Sequence, residues 1–127
     1  MINSVKRIIV AAHYKGARFI ESQGIVVHGV LAELHNEHVG THDEAEHRTH
    51  ERCIEKEKFS HQICHELKRI LELSPSHTEV ILVAEPKMLG LLREDMEKEL
   101  AHVTVYKALH VDPARLSLKD IEAKIFE

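Results

Sequence analysis

Two kinds of hydrophobic spacing alternate along this chain. Residues 6–12 are almost continuously apolar, through Ile8-Ile9-Val10-Ala11-Ala12, and a short unbroken apolar run suits a strand covered on both faces. His13-Tyr14-Lys15-Gly16 reads as a turn with glycine at its end. Ala17 to Glu21 sets Ala17 and Phe19 against Arg18 and Ile20, a second strand, and Ser22-Gln23-Gly24 is a second short turn. Ile25 to Leu34 is a third strand with Gly29 as the candidate bulge. Three strands joined by short turns predict an antiparallel meander. A polar, histidine-rich loop over about 35–50 then leads into a long helix over about 45–73, with cap signals at Thr41 and Asp43. The helix carries a core stripe of Phe59, Ile63, Leu67, Ile70 and Leu71 and stops at Ser74-Pro75-Ser76.

The second half returns to short apolar runs. Glu79 to Ala84 is a fourth strand, nearly all apolar and hence central. Pro86 suits the first position of a helix over about 86–100 that buries Leu89, Leu92, Met96 and Leu100. His102 to Lys107 is a fifth strand, and Ser117-Leu118-Lys119-Asp120 is a capping box opening a last helix with Leu118, Ile121 and Ile125 inward. The order β-β-β-α-β-α-β-α, with right-handed crossovers, predicts an α/β fold. Its five-stranded mixed sheet has order 3-2-1-4-5, with strand 2 antiparallel and helices on the sheet faces. This is the ribonuclease H-like layout, which recurs among translation-machinery components.

Composition sets bounds. A chain of 127 residues, 43% apolar and 30% charged, fits one globular α/β domain spanning 1–127. No apolar run approaches the roughly 20 residues of a membrane span. Cys53 and Cys64 lie on one predicted helix, about 16 Å apart along its axis, too far to bridge. Free thiols without a signal segment point to a reducing, cytoplasmic setting. The net charge of −4 argues against strong nonspecific nucleic-acid binding. Protonating all twelve histidines would bring it to +8, so the sign of the field inverts as free imidazole titrates near pH 6.5.

The stretch Lys58-Phe59-Ser60-His61-Gln62-Ile63, followed by Val80-Ile81-Leu82-Val83-Ala84-Glu85-Pro86-Lys87-Met88-Leu89-Gly90-Leu91-Leu92-Arg93, resembles the bacterial host attachment protein family. That family has a strand ending in Val-Ala, then Pro, then Leu-Gly-x-Leu-Arg. Ala17-Arg18-Phe19 also matches its second strand. The resemblance covers most of the chain outside the histidine-rich segment. It implies kinship with the middle domain of archaeal and eukaryotic class-1 peptide release factors, and a host-attachment role rather than a chemistry. The chain departs from the family where an acid often follows strand 1, here His13, and where an Asp-Leu stretch precedes the last helix, here Leu109-His110-Val111-Asp112-Pro113.

Candidate chemistry is sparse. Peptide release needs a Gly-Gly-Gln loop, and this chain offers Gln23-Gly24 in a tight turn. Ribonuclease H catalysis needs converging carboxylates, and strand 1 has none, while strand 4 is followed by Glu85 alone. No P-loop, GxGxxG or GxSxG is present, and no nucleotide cofactor is expected. Gly90 inside a helix implies close approach of that helix to the sheet or a neighbour.

On a continuous helix His47, His50, Ile54, His61 and His65 share a stripe opposite the apolar one. The pairs His47/His50 and His61/His65 have the spacing to grip a divalent metal, zinc or nickel, though no cofactor is required. The plain alternative is a solvated face that uses histidine. The leading expectation is a non-enzymatic binding or adaptor domain. It would act through the long helix, on a protein partner or a second copy. A ribosome- or RNA-associated role through Lys6, Arg7, Lys15 and Arg18 is the first alternative. A hydrolase using His13, Glu85 and Arg93 at the carboxyl ends of strands 1 and 4 is the second.

Overall fold

The computed structural model describes residues 5–36, 48–73 and 77–126, with backbone alone for 48–56, 77 and 78. Strands β1 (Lys6–His13), β2 (Gly16–Gln23) and β3 (Val26–His35) form the meander. Helix α1 (Arg48–Leu73) is followed by β4 (His77–Ala84), α2 (Pro86–Glu99), β5 (Thr104–His110), a single 3-10 turn (Pro113–Arg115) and α3 (Leu118–Phe126). The sheet order is β3-β2-β1-β4-β5, as the spacing predicts, with β1, β4 and β5 parallel and β2 antiparallel to both its neighbours.

Alternation along β1 explains why its run is unbroken. Ile8, Val10 and Ala12 pack with Phe59, Ile63 and Leu67 of α1 and with Met88, Leu92 and Met96 of α2. Ile9 and Ala11 face the other way, against Ile121 and Ile125 of α3. β4 divides in the same manner, with Val80 and Leu82 on the first side and Ile81 and Val83 on the second. Both inner strands therefore bury every apolar side chain, and each Ile, Val or Leu among them contributes about 1.5–3 kcal/mol.

The fifth strand runs from Thr104 to His110 rather than from His102 to Lys107. Leu100 caps α2 and its carbonyl accepts Val103 N–H at 3.0 Å, so a turn consumes the residues expected to start the strand. The candidate bulge at Gly29 resolves into two. Gly29 is itself paired with Glu21, and the unpaired residues are His28 and Leu31 on either side of it. Each extra residue flips the side-chain phase. Ala32 and Leu34 thus join the α1/α2 side of the core, while Val27 joins the α3 side. α3 also shields this margin, because Glu122 Oε2 accepts Val27 N–H at 2.8 Å.

Among the described residues Gly90 approaches no neighbour: it is exposed, and a Cβ built on it meets nothing within 4 Å. Gly16 is the close approach, with its Cβ position 2.9 Å from the Leu34 carbonyl oxygen. The expected capping box is present, as Ser117 N–H donates to Asp120 Oδ2 and Asp120 N–H to Ser117 Oγ, both at 3.1 Å. Hydrogen bonds from the Ser117 backbone and hydroxyl hold the exposed Asp120 carboxyl below its usual range.

Candidate functional site

The carboxyl ends of the parallel strands are where a sheet of this type presents a cleft. His13 closes β1 opposite Gly16. By alternation it lies on the α3 side, with Ile9 and Ala11. Its Nδ1 accepts Lys15 N–H at 3.1 Å. Partial burial lowers its pKa, Asp112 opposes that shift, and Arg18 and Lys15 add to it. Glu85 lies on the opposite side as the N-cap of α2, its carboxylate accepting Lys87 and Met88 N–H at 2.9 and 3.2 Å. Arg93 is eight residues further along α2, about 12 Å down its axis. It lines a hollow of about 160 Å³ with Met96, Leu100, Val103 and Val105. His13 therefore sits on the α3 side of the sheet and Glu85 on the α2 side, with Arg93 about two turns further along α2.

The exposed side of α1 presents a more developed arrangement. His61 and His65 are exposed, while Phe59, Ile63, Leu67 and Ile70 are buried, so the helix divides as its stripes predict. His47 and the side chain of His50 lie outside the described residues. Between the histidine and apolar stripes is a polar set. Ser60 is fully buried and its hydroxyl donates to Asp95 Oδ2 of α2 at 2.6 Å. The same oxygen lies 3.3 Å from His61 Nδ1, and the His61 side chain remains 64% exposed. Cys64 is a free, buried thiol whose pKa is pushed up to about 12, first by burial and then by the charges of Asp95 and Glu99.

Two hollows flank this ridge. One, about 210 Å³, lies between α1 and α2 and is lined by His61, Cys64, His65, Lys68 and Glu99. The other, about 660 Å³, lies between α1 and the outer strand β3. Its walls are Glu33, Leu34 and His35 on the strand and His61, Gln62, His65 and Glu66 on the helix. Glu66 is already bonded to Arg69, whose hydrogen bonds hold that carboxyl below its usual range. Among the described residues, no three or more of His, Cys, Asp and Glu gather closely enough to enclose a metal.

Ser60 and Asp95 were not singled out from the sequence. One signal was available. Asp95 falls within the inward stripe of α2, beside buried Leu92 and Met96, and a carboxylate in an apolar stripe implies a buried partner.

Two cations of the RNA reading have intramolecular work. Arg7 bonds Glu79 at 2.7 Å and the Gly24 carbonyl at 3.2 Å, and its guanidinium lies 3.8 Å from the centre of the Tyr106 ring. Arg18 donates to the carbonyls of Pro113 and Leu116 at 3.0 and 2.9 Å, fastening the 3-10 turn to β2. Gln23 ends β2, and Gly24, at φ 62°, makes the tight turn that follows it. No described helix is long and apolar enough to cross a membrane.

Residues 31–125 match a family model described as a protein required for attachment to host cells. The matched segment takes in the histidine-rich stretch and begins after Ala17-Arg18-Phe19. No curated protein matches the chain. Among solved structures it is similar to S. cerevisiae Dom34, a translation termination-like factor involved in RNA quality control pathways and interacting with Hbs1. The TM-score is 0.55 at 13% identity, over 97% of this chain and 33% of Dom34. The chain thus spans about a third of Dom34's length, and at that identity the likeness concerns the fold.

Proposed function

Because the chain belongs to the family of proteins required for attachment to host cells, we propose that it is a non-enzymatic binding domain serving attachment, with a protein partner received in the hollow between α1 and β3. The observation that carries this is the hollow itself. At about 660 Å³ it is the size of a specific side-chain cluster or short segment. Its walls combine a rigid helix with a strand at the sheet margin, and the exposed Glu33 offers one carboxylate, 4.0 Å from His35, to a basic group of the partner. The candidate catalytic side chains support the same reading, since Glu85 caps α2 and Arg93 lines a different hollow. The free thiol at Cys64 is in keeping with a reducing, cytoplasmic compartment.

Ribosome or RNA binding ranks second. It draws on the fold shared with Dom34, but Arg7 and Arg18, two of its four cations, are held by intramolecular partners.

The test is complementation of attachment in a strain lacking the chain. Wild type restores attachment to host cells, and Glu33→Lys/Gln62→Arg, which alters exposed positions alone, does not. Equal restoration by the double variant removes the hollow from the proposal. If the deletion leaves attachment intact, the role itself is wrong.

A further inference from the structure

His61 and His65 stand one turn apart on α1, and both border the two hollows. Positions i and i+4 place Cβ atoms about 5–6 Å apart. Two imidazole nitrogens so placed can meet at one ion, about 2.0–2.1 Å from each. Asp95 decides which His61 nitrogen is offered. Its Oδ2 lies 3.3 Å from Nδ1, so a neutral ring that carries its proton on Nδ1 faces the carboxylate and leaves a lone pair on Nε2 for the ion. Asp95 is fixed in turn by Ser60, and both residues are buried. A carboxylate behind an imidazole sets the ring's orientation and raises its basicity, which is how many metal-binding histidines are prepared.

We infer that His61 and His65 form a binding site for a divalent transition ion such as zinc, nickel or copper, with Asp95 and Ser60 as its positioning residues. Two nitrogen donors select these ions over magnesium and calcium, which take oxygen. Water completes the coordination sphere, so the site is open and exchanging rather than a closed structural one. Lys68 and Glu99 line the adjoining hollow with opposite charges. Ion binding here does not depend on the attachment partner, and its test reads the ion alone.

The experiment is calorimetric titration of the full chain with zinc and nickel chlorides, and magnesium chloride for comparison. It is paired with nitrogen-resolved NMR of the imidazoles. His61→Ala and His65→Ala each abolish one binding event, and magnesium gives none. Asp95→Asn weakens that event about 10–100-fold, while His28→Ala and His102→Ala, on other elements, leave it intact. On zinc addition the His61 resonance that moves as a ligand is Nε2. Wild-type titrations from both His61→Ala and His65→Ala overturn the site. Unchanged affinity in a folded Asp95→Asn overturns the positioning role. Should Asp95→Asn fail to fold, the spectrum of the native chain decides that role: a proton on Nδ1 supports it and a proton on Nε2 overturns it.

Discussion

Single side chains here act mainly by satisfying buried groups or by titrating at a pH that folding has moved. Ser60 gives Asp95 a short hydrogen bond inside the α1–α2 packing, and hydrogen bonds to charged groups contribute about 1.5–3 kcal/mol. Ser60→Ala should lower unfolding free energy by about 2 kcal/mol on that basis, read from the urea midpoint; a change within error would mean water replaces the hydroxyl. His13 governs part of the pH dependence. Its folded pKa lies below its unfolded one, chiefly through burial, so on acidification the unfolded chain takes up the proton first. Stability is then complete above the unfolded value near 6.5 and declines as pH falls from there toward the folded value. His13→Asn keeps an acceptor for Lys15 N–H, since Asn bonds the backbone two residues on, and removes the titration. Denaturation at pH 7.5 and pH 5.5 should show a smaller loss in the variant than in wild type; equal losses would exclude His13 as a source.

At the scale of elements, the two glycines separate backbone need from mere composition. Gly16 belongs to a hairpin whose partner strand leaves no room, because an added Cβ meets the Leu34 carbonyl oxygen at 2.9 Å. Gly16→Ala should cost about 1–3 kcal/mol, the usual penalty for overpacking. Gly90 is exposed in the interior of α2 with open space around it, so Gly90→Ala should raise stability by about 1 kcal/mol. Thermal melts of the two variants should therefore move in opposite directions. Among the described residues, nothing explains why α2 carries a glycine at this position. β3 shows the complementary lesson. Two bulges turn one strand into two halves that serve opposite sides of the core, and both leave apolar residues such as Val30 and Leu31 at the surface.

Across the whole molecule, burial falls from the middle of the sheet to its outer strand. β1 and β4 lie between helices on both sides, while every β3 residue is at least partly exposed. Amide exchange should follow that gradient, slowest in residues 8–12 and 80–84 and fastest in β3. Uniform protection across the five strands would mean that the sheet opens only as a unit. The Arg7 contacts with Glu79, Gly24 and Tyr106 tie β1 to β4, the β2–β3 turn and β5 at the opposite end from the candidate cleft. The positive charge that the sequence made available for RNA is thereby used for cohesion.

Local spacing was enough to determine the inner strands, the buried stripes of α1 and α2, the Ser117–Asp120 cap and the strand order. Each of these depends on neighbours a few residues away or on a handedness that all chains share. The division of β3 by His28 and Leu31, the partners of Arg7 and Arg18, and the meeting of Ser60, His61 and Asp95 were decided only in three dimensions. Ser60 and Asp95 are 35 residues apart and on different helices. Their encounter depends on how α1 and α2 pack over the sheet, and helix periodicity specifies which face is buried but not which residue of another helix it meets.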